Sequence, residues 1–463
     1  MEASCDDRKI VNMEEGYSTT NNEDINIRVH SSSVNVVDSA GDSHETSIII
    51  PNSVGVSETA ASSKRRLASL DVFRGLTVGL MILVDDVGGL CPLLNHSPWD
   101  GVTLADFVMP FFLFIVGVAL GLTYKRVPRK IIATRTAVLR ALKLLVVGLV
   151  IQGGYFHGFN DLTYGVDIQY FRWMGVLQRI AIAYLLAALC EIWLKRDDDV
   201  VKSKLPLLKK YQFQWMVVLV LTVVHLTLLY GLFVSDWKYQ LPSEGSSASV
   251  ATGTFMTVKC GVRGETGPAC NAVGMIDRAL LGIQHLYRKS STFSRTKQCS
   301  INSPAHGPLP EGAPSWCQSP FEPEGILSSV MAVVTCMIGL HYGHVIVHFK
   351  EHKNRILHWL IPAFFLVAMG IILNFSGMHL NKALYSLSYT CVTAGAAGIL
   401  FTVIYGLVDV CGYRRPTIVL EWMGKHAMMI YILAACNLLP LFIHGFYWKR
   451  PENNILRLIG IGS

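Results

Sequence analysis

Long apolar runs separated by polar connections dominate the chain from residue 67 onwards. Most of the runs hold roughly 17 to 25 residues, the length that an α-helix needs to cross the hydrocarbon core of a bilayer. The runs predict helices at 72–91, 103–124, 137–156, 174–194, 215–234, 325–347, 357–373, 384–408 and 417–439. The stretch 455–463 is too short to span, so a tenth helix is expected to be missing or incomplete. The pattern predicts an all-α, polytopic helical bundle of about nine to ten transmembrane helices.

The basic residues of the connections fall in every second loop. Clusters lie at 64–66, 125–130, 195–210, 350–355 and 414–415. The short connections 92–102 and 374–383 are nearly free of Lys and Arg. Positively charged loops stay in the cytosol, so the alternation predicts a cytosolic N-terminus. The alternative is that the basic residues cluster in these loops by chance.

Composition agrees with a membrane protein and divides the chain into four parts. Apolar residues make up 51% of the chain and charged residues 16%, and the net charge is +7. The basic residues gather between the apolar runs, a placement that indicates membrane orientation and not nucleic-acid binding. Residues 1–66 are polar and poor in aromatics, which predicts a disordered cytosolic tail without a cleavable signal peptide. A first transmembrane block at 67–234 and a second at 325–463, short at its C-terminus, flank a long non-cytosolic loop at 235–324.

Four cysteines lie in that long loop. Cys260, Cys270, Cys299 and Cys317 are expected on an oxidising side of the membrane, which predicts two disulfides with three possible pairings. A zinc site is the competing interpretation. The spacings contain no CxxC pair, so we predict no metal.

Polar side chains concentrate near the predicted outer boundary of the first, second and fourth runs. Asp85, His96, Asp106 and Arg179 are all expected there. Charges in membrane helices are costly and usually functional. The alternatives are that Asp85 and Asp86 cap a helix or form a structural ion pair with Arg179, and that His96 is only an interfacial side chain.

Asp71 and Arg74 lie at the opposite, cytosolic boundary of the first run. They are either functional or interfacial residues whose side chains extend to water.

Ordered motifs across most of residues 65–430 resemble the heparan-α-glucosaminide N-acetyltransferase family. They are the segments 66–75, 95–101, 103–117, 175–179, 274–278, 323–327 and 384–389. The resemblance implies an enzyme that takes an acetyl group from cytosolic acetyl-CoA and delivers it to a sugar across a lysosomal, vacuolar or other endomembrane, or the plasma membrane. The family's folded lumenal domain before the first helix is expected to be absent, and its last helix missing.

The resemblance also assigns a catalytic histidine, which His96 matches. The family commonly has Asn eleven positions earlier, where this chain has Asp85. Asp can bind a cation that Asn would only hydrogen-bond. We expect His96 to take the proton from an amine or hydroxyl acceptor, with Asp85 or Asp106 orienting the imidazole.

Binding roles follow from charge and position. CoA carries phosphates that need cations, and the residues assigned to the cofactor are Asp71, Arg74 and Arg126. The residues assigned to the acceptor or to the carbonyl oxyanion are Asn95, Trp99, Gln178 and Arg179. The expected partners are membrane lipid, acetyl-CoA and a glycan or other small polar acceptor; a homodimer is left open.

Two routes and two other functions stay open at this point. The acetyl group either passes directly to the acceptor or is carried briefly by His96. The charged membrane residues would equally suit a small-solute transporter, although no internal repeat is visible, or a catalytically inactive relative.

Overall fold

The computed structural model describes residues 67–88, 94–125, 129–152, 171–194, 204–240, 255–287 and 293–435. Predictions for the tail at 1–66, for Arg126 and for the end of the chain beyond residue 435 lie outside the described residues.

Twelve α-helices and one small sheet form the described part of the chain. The helices are α1 Ala68–Val87, α2 Leu104–Thr123, α3 Lys130–Gln152, α4 Val176–Trp193, α5 Lys204–Lys210, α6 Gln212–Gly231, α7 Ala272–Leu281, α8 Ile326–His348, α9 His352–Phe375, α10 Leu387–Tyr405, α11 Ile418–Lys425 and α12 Ala427–Ala435. The strands β1 Trp237–Gln240 and β2 Phe255–Val258 pair antiparallel, with Trp237 opposite Val258. A π-helical turn, Gly406–Val410, continues α10.

The predicted all-α membrane architecture is confirmed at the level of its class. Among the described residues, six helices are long and apolar enough to cross a membrane, or seven if the bent pair α11 and α12 is one span. Helices α1 and α3 match predicted runs in length but carry four charged residues each. The prediction of nine to ten spans therefore stays a prediction.

One predicted helix is wrong in shape. The run 417–439 was expected to be continuous, but α11 and α12 meet at an angle of 75°. Gly424 at the end of α11 lies against the backbone of α1, where a Cβ would fall 1.8 Å from the carbonyl oxygen of Asp71. This close packing holds α11 against α1, and the chain turns at His426 before α12 begins.

Helices α2 and α8 cross at glycines in the centre of the bundle. A Cβ on Gly117 would lie 2.0 Å from the Cys336 carbonyl oxygen, and one on Gly339 would lie 2.1 Å from that of Phe114. Gly121 and Gly343 repeat the contact one turn further along. Small residues four apart let membrane helices approach closely, so this crossing fixes α2, which carries Asp106.

The segment between α6 and α8 contains both disulfides expected from the cysteine count. Cys260 pairs with Cys270, and Cys299 with Cys317, which selects one of the three possible pairings. The second disulfide belongs to a buried apolar cluster that also contains Trp99. This cluster attaches the segment to the connection between α1 and α2.

Candidate active site

A tight loop presents His96 at the start of α2. We call residues 94–103 the His96 loop. The side-chain oxygen of Asn95 accepts a hydrogen bond of 2.8 Å from the backbone N–H of His96, and the Thr103 hydroxyl donates to the Asn95 carbonyl oxygen at 2.5 Å. Gly101 has a φ of 96°, which glycine adopts without strain. The local sequence thus closes a turn that holds the imidazole in one place.

The carboxylate of Asp106 fixes the imidazole. Its Oδ1 lies 2.8 Å from Nδ1 of His96, and its Oδ2 accepts from the backbone N–H groups of Ser97 and Thr103, each at 3.1 Å. An ionised carboxylate can only accept hydrogen bonds, so Asp106 favours the tautomer with the proton on Nδ1. In that tautomer the lone pair is on the other ring nitrogen, Nε2, as a general base requires.

Lys382, for which no role was predicted, forms a cluster with His96 and Asp106. Its Nζ lies 2.9 Å from Nδ1 and 3.3 Å from Nε2 of His96, and 3.6 Å from Oδ1 of Asp106. The positive charge of Lys382, followed by burial, holds the pKa of His96 below its ordinary value of 6.5, while Asp106 acts in the opposite direction. The imidazole is therefore biased towards its neutral form.

The segment that carries Lys382 is joined to the His96 loop through the backbone. The N–H of Gly101 donates to the carbonyl oxygen of Leu380 at 2.8 Å, and the side chain of Asn381 donates to Oδ1 of Asp100 at 3.2 Å. Two parts of the chain separated by more than 270 residues are thus held together beside the imidazole.

A cavity of about 540 Å³ extends from this cluster into the bundle. One end is lined by His96, Asp85, Lys382 and Glu324, and the other by Arg74, Gly424 and Lys425. Arg74 and Asp85 are eleven residues apart on α1, which corresponds to about 16 Å along the helix axis. The wall between them is apolar and is formed by Met81, Val84, Ala105, Val108, Met109, Phe112, Val116, Leu144 and Ile180, among others.

Asp85 lies in this cavity but not against the imidazole. Among the described residues, the carboxylate that contacts Nδ1 is that of Asp106. Of the two residues expected to orient His96, Asp106 is the one that the structure places in contact with the imidazole. Asp85 lines the same end of the cavity.

The predicted cofactor residues Asp71 and Arg74 form an ion pair of 2.9 Å one turn apart on α1. Arg74 also donates to the carbonyl oxygen of Gly424 at 3.4 Å, and it lines the cavity. Lys425 lines the same end.

Arg179 and Gln178 do not line the cavity within the described residues. Arg179 is buried and donates to the Pro323 carbonyl oxygen at 2.7 Å and to the Ser328 hydroxyl at 2.5 Å. Both bonds come from Nη2 and hold the guanidinium at the start of α8. The expected role of Arg179 as an oxyanion partner stays a prediction.

Trp99 packs between aromatic rings and not in the cavity. Its ring centroid lies 5.6 Å from those of Phe293 and Phe321, and its Nε1 donates to the Thr266 carbonyl oxygen at 3.1 Å. Trp99 anchors the His96 loop to the segment between α6 and α8. Arg295 of that segment donates to the carbonyl oxygen of His96.

Glu324 is a second residue to which the sequence analysis gave no role. It lines the cavity and accepts from Nη2 of Arg172 at 2.5 Å, and Arg172 also pairs with Glu322. Glu324 and Lys382 both lie in or beside motifs that carried the family resemblance, and Lys382 is the one lysine in the predicted outer loop 374–383. Those signals could have found them.

Among the described residues, no group of three or more His, Cys, Asp or Glu side chains could hold a metal ion. The four loop cysteines are all engaged in disulfides.

Comparison with known proteins gives a consistent result. Residues 66–198 match the family model described as "Heparan-alpha-glucosaminide N-acetyltransferase, catalytic". The Mus musculus protein named "Heparan-alpha-glucosaminide N-acetyltransferase" is 27% identical over 394 residues, covering 81% of this chain and 54% of the relative. The Homo sapiens protein of the same name is 27% identical over 410 residues, covering 84% of this chain and 55% of the relative.

The chain spans about half the length of the curated relatives it matches. The match of residues 66–198 contains both His96 and Asp106. Together with the two relatives, it confirms the resemblance found in the motifs: over residues 66–198 the chain is similar to the catalytic part of the heparan-α-glucosaminide N-acetyltransferase family.

Proposed function

We propose that this protein is a membrane-embedded acyltransferase. It moves an acetyl group from cytosolic acetyl-CoA to an amine or hydroxyl of a sugar-type acceptor on the other side of the membrane. The observation that carries the proposal is that Arg74 and His96 line the same cavity, one near each end. The acetyltransferase names of the two relatives support the same reaction class.

The proposed topology has nine to ten transmembrane helices and a cytosolic N-terminus. Basic residues in alternate connections support this orientation. Arg74 then lies near the cytosolic face, whereas the His96 loop and the disulfide-bonded segment lie on the opposite side. Disulfides persist in oxidising compartments, which supports a lysosomal, vacuolar or other non-cytosolic location for that segment.

Acetyl-CoA would enter at the Arg74 end. The cations Arg74 and Lys425 suit the phosphates of CoA, and the apolar wall suits its long, thin arm. The thioester then reaches His96 without leaving the bundle. This arrangement brings donor and acceptor together from opposite sides of the membrane.

His96 acts as the general base. Nε2 takes a proton from the acceptor N–H or O–H as the acceptor atom bonds to the acetyl carbon. The C–S bond then breaks, and the CoA thiolate leaves with a proton. A variant of this route in which Nε2 itself is first acetylated uses the same geometry. Asp106 stabilises the imidazolium in both routes.

The test is acetyl transfer by the purified protein, with radiolabelled acetyl-CoA and a panel of amino sugars and neutral sugars. His96→Ala should abolish transfer, because no other imidazole lines the described cavity. His379→Ala is the matched control, since His379 is exposed near Lys382 but does not line the cavity. Activity of His96→Ala within a few-fold of the parent would remove His96 from the reaction.

The alternative functions draw on the same cavity. A small-solute transporter would use Asp85 and Lys382 as part of a solute path. Saturable uptake into vesicles without acetyl-CoA would support transport. A catalytically inactive relative would bind acetyl-CoA without turnover.

A further inference from the structure

We propose that Lys382 is a further catalytic residue, whose ammonium group binds the acetyl carbonyl oxygen when that oxygen becomes negatively charged in the tetrahedral intermediate. This inference rests on the proposed acyl transfer at His96. It adds a residue to the four, Asn95, Trp99, Gln178 and Arg179, that were expected to bind the acceptor or the oxyanion.

Lys382 is beside the reacting nitrogen. Its Nζ is 3.3 Å from Nε2 of His96, and both side chains line the cavity. An acceptor atom that gives its proton to Nε2 must lie within hydrogen-bond distance of that nitrogen, and the acetyl carbon must be adjacent to the acceptor atom. The carbonyl oxygen is then within a few ångströms of Nζ.

Lys382 also has donors to spare. A lysine ammonium has three N–H donors and no acceptor. In the tautomer that Asp106 favours, the N–H at Nδ1 of His96 donates a hydrogen bond to Asp106 and cannot accept one from Lys382. The acceptors left near Nζ are then Nε2 of His96 and Oδ1 of Asp106. At least one N–H is left for the substrate, and a second becomes available when Nε2 takes up a proton.

The other cations near the site are engaged elsewhere. Of the described residues that line the cavity, three are Lys or Arg, and Arg74 and Lys425 belong to its far end. Arg179 binds the start of α8. Arg295 donates to the backbone oxygen of His96 without lining the cavity. Lys382 is therefore the cation that the geometry offers to the oxyanion.

Acidic side chains surround Lys382, and the segment that carries it is held in place. Asp106 lies 3.6 Å away, and Asp85 and Glu324 line the same end of the cavity. The neighbouring Asn381 is fixed by Asp100, and its side-chain oxygen accepts from the Leu384 N–H at 2.9 Å. A preorganised charge stabilises a developing oxyanion without further reorganisation, which is the main source of its catalytic effect.

In the proposed step, the acceptor atom forms a bond to the acetyl carbon while Nε2 takes the acceptor's proton. The carbonyl π electrons move to oxygen, which Nζ of Lys382 holds by a charge-assisted hydrogen bond. When the intermediate collapses, these electrons re-form the C=O bond, the C–S bond breaks, and the thiolate takes the proton from Nε2. Lys382 keeps all its protons throughout.

The test compares Lys382→Met and Lys382→Arg in the purified full chain. Lys382→Met should lower kcat by about 10²- to 10³-fold, as loss of an oxyanion donor does. The dissociation constant of acetyl-CoA, measured by titration calorimetry, should change by less than about threefold, because the ground-state carbonyl carries no charge. Lys382→Arg should retain more activity than Lys382→Met. Ethylammonium added to the assay should partly restore the activity of the Lys382→Ala variant.

Two measurements separate this role from other ones. If Lys382 acted only by lowering the basicity of His96, the defect of Lys382→Met would disappear at alkaline pH; the oxyanion role predicts that it persists. A purely structural role would lower the unfolding midpoint and would not respond to ethylammonium. Full activity of Lys382→Met, or recovery at high pH, overturns the inference while His96→Ala still tests the proposed function.

Discussion

Nδ1 of His96 lies 2.8 Å from Oδ1 of Asp106, ten positions later in the chain. The spacing results from the His96 loop, in which Asp106 also accepts from the backbone N–H of Thr103 just before α2. One carboxylate therefore caps a membrane helix and selects the tautomer of the imidazole. This double use couples the start of α2 to the chemistry of Nε2.

Asp106→Asn should lower kcat strongly. The amide can present its NH₂ group to Nδ1 and favour the wrong tautomer, so that Nε2 carries the proton and cannot act as a base. A loss of about 10⁴-fold is expected from comparable triads. Transfer assays at saturating acetyl-CoA measure it. Asp236→Asn is the matched control, because Asp236 is exposed, lies outside the cavity lining and accepts from the backbone N–H of Cys260; the variant should stay within about tenfold of the parent.

The pH dependence should show the influence of Lys382 on His96. The base must be neutral, so activity falls as the pH drops through the pKa of His96. Because Lys382 holds that pKa below 6.5, the acid limb of kcat/KM should lie below pH 6.5. Lys382→Met removes the lowering charge and should move the limb to higher pH. A limb that stays in place in the variant would contradict this electrostatic coupling.

Removing the disulfide Cys299–Cys317 should impair both stability and activity. The bond closes a loop of 18 residues, for which about 3 kcal/mol of stabilisation is typical. It also belongs to the cluster that holds Trp99 of the His96 loop. The paired change to serine should lower the unfolding midpoint and kcat.

The disulfide Cys260–Cys270 provides the comparison for that experiment. It packs with Tyr239 and Val258 in a separate cluster, and its link to the His96 loop is the one hydrogen bond from Trp99 to the Thr266 carbonyl oxygen within the loop that the disulfide closes. Its removal should lower stability and reduce kcat less than removal of Cys299–Cys317. Equal losses of activity in the two variants would argue against a specific link between Cys299–Cys317 and the His96 loop.

Gly117→Ala should destabilise the bundle. Its new Cβ would fall 2.0 Å from the carbonyl oxygen of Cys336, a backbone atom that cannot yield without shifting α8. Overpacking of this kind costs about 1 to 3 kcal/mol and sometimes more. Thermal unfolding in detergent measures the loss. Gly231→Ala is the control, because nothing lies within 4 Å of a Cβ there, and no loss is expected.

The sequence predicted the helices well because long apolar runs leave the chain few alternatives in a membrane. All nine predicted runs overlap helices of the described residues. The bend between α11 and α12 was missed because it depends on the contact of Gly424 with α1, which is distant in sequence. Periodicity along one segment cannot report such a contact.

The sequence alone predicted only the part of the candidate site whose residues are close together in the chain. His96 and Asp106 are ten residues apart and belong to one motif, so the sequence brought them together. Lys382 and Glu324 reach the cavity by tertiary packing across the bundle. Arg179 was assigned to the oxyanion because it lies at the same predicted depth as His96, but depth alone does not determine which way a guanidinium points.

The most direct test of the account uses sealed vesicles in which acetyl-CoA and acceptor are on opposite sides. Acetyl-CoA is supplied only at the face that exposes Arg74, with the acceptor only at the face that exposes the His96 loop, and orientation is verified by impermeant labelling of single cysteines. If the cavity brings the thioester from the Arg74 end to His96, the parent forms acetylated acceptor in the acceptor's own compartment and His96→Ala forms none. Product that forms only when both substrates share one compartment would contradict it.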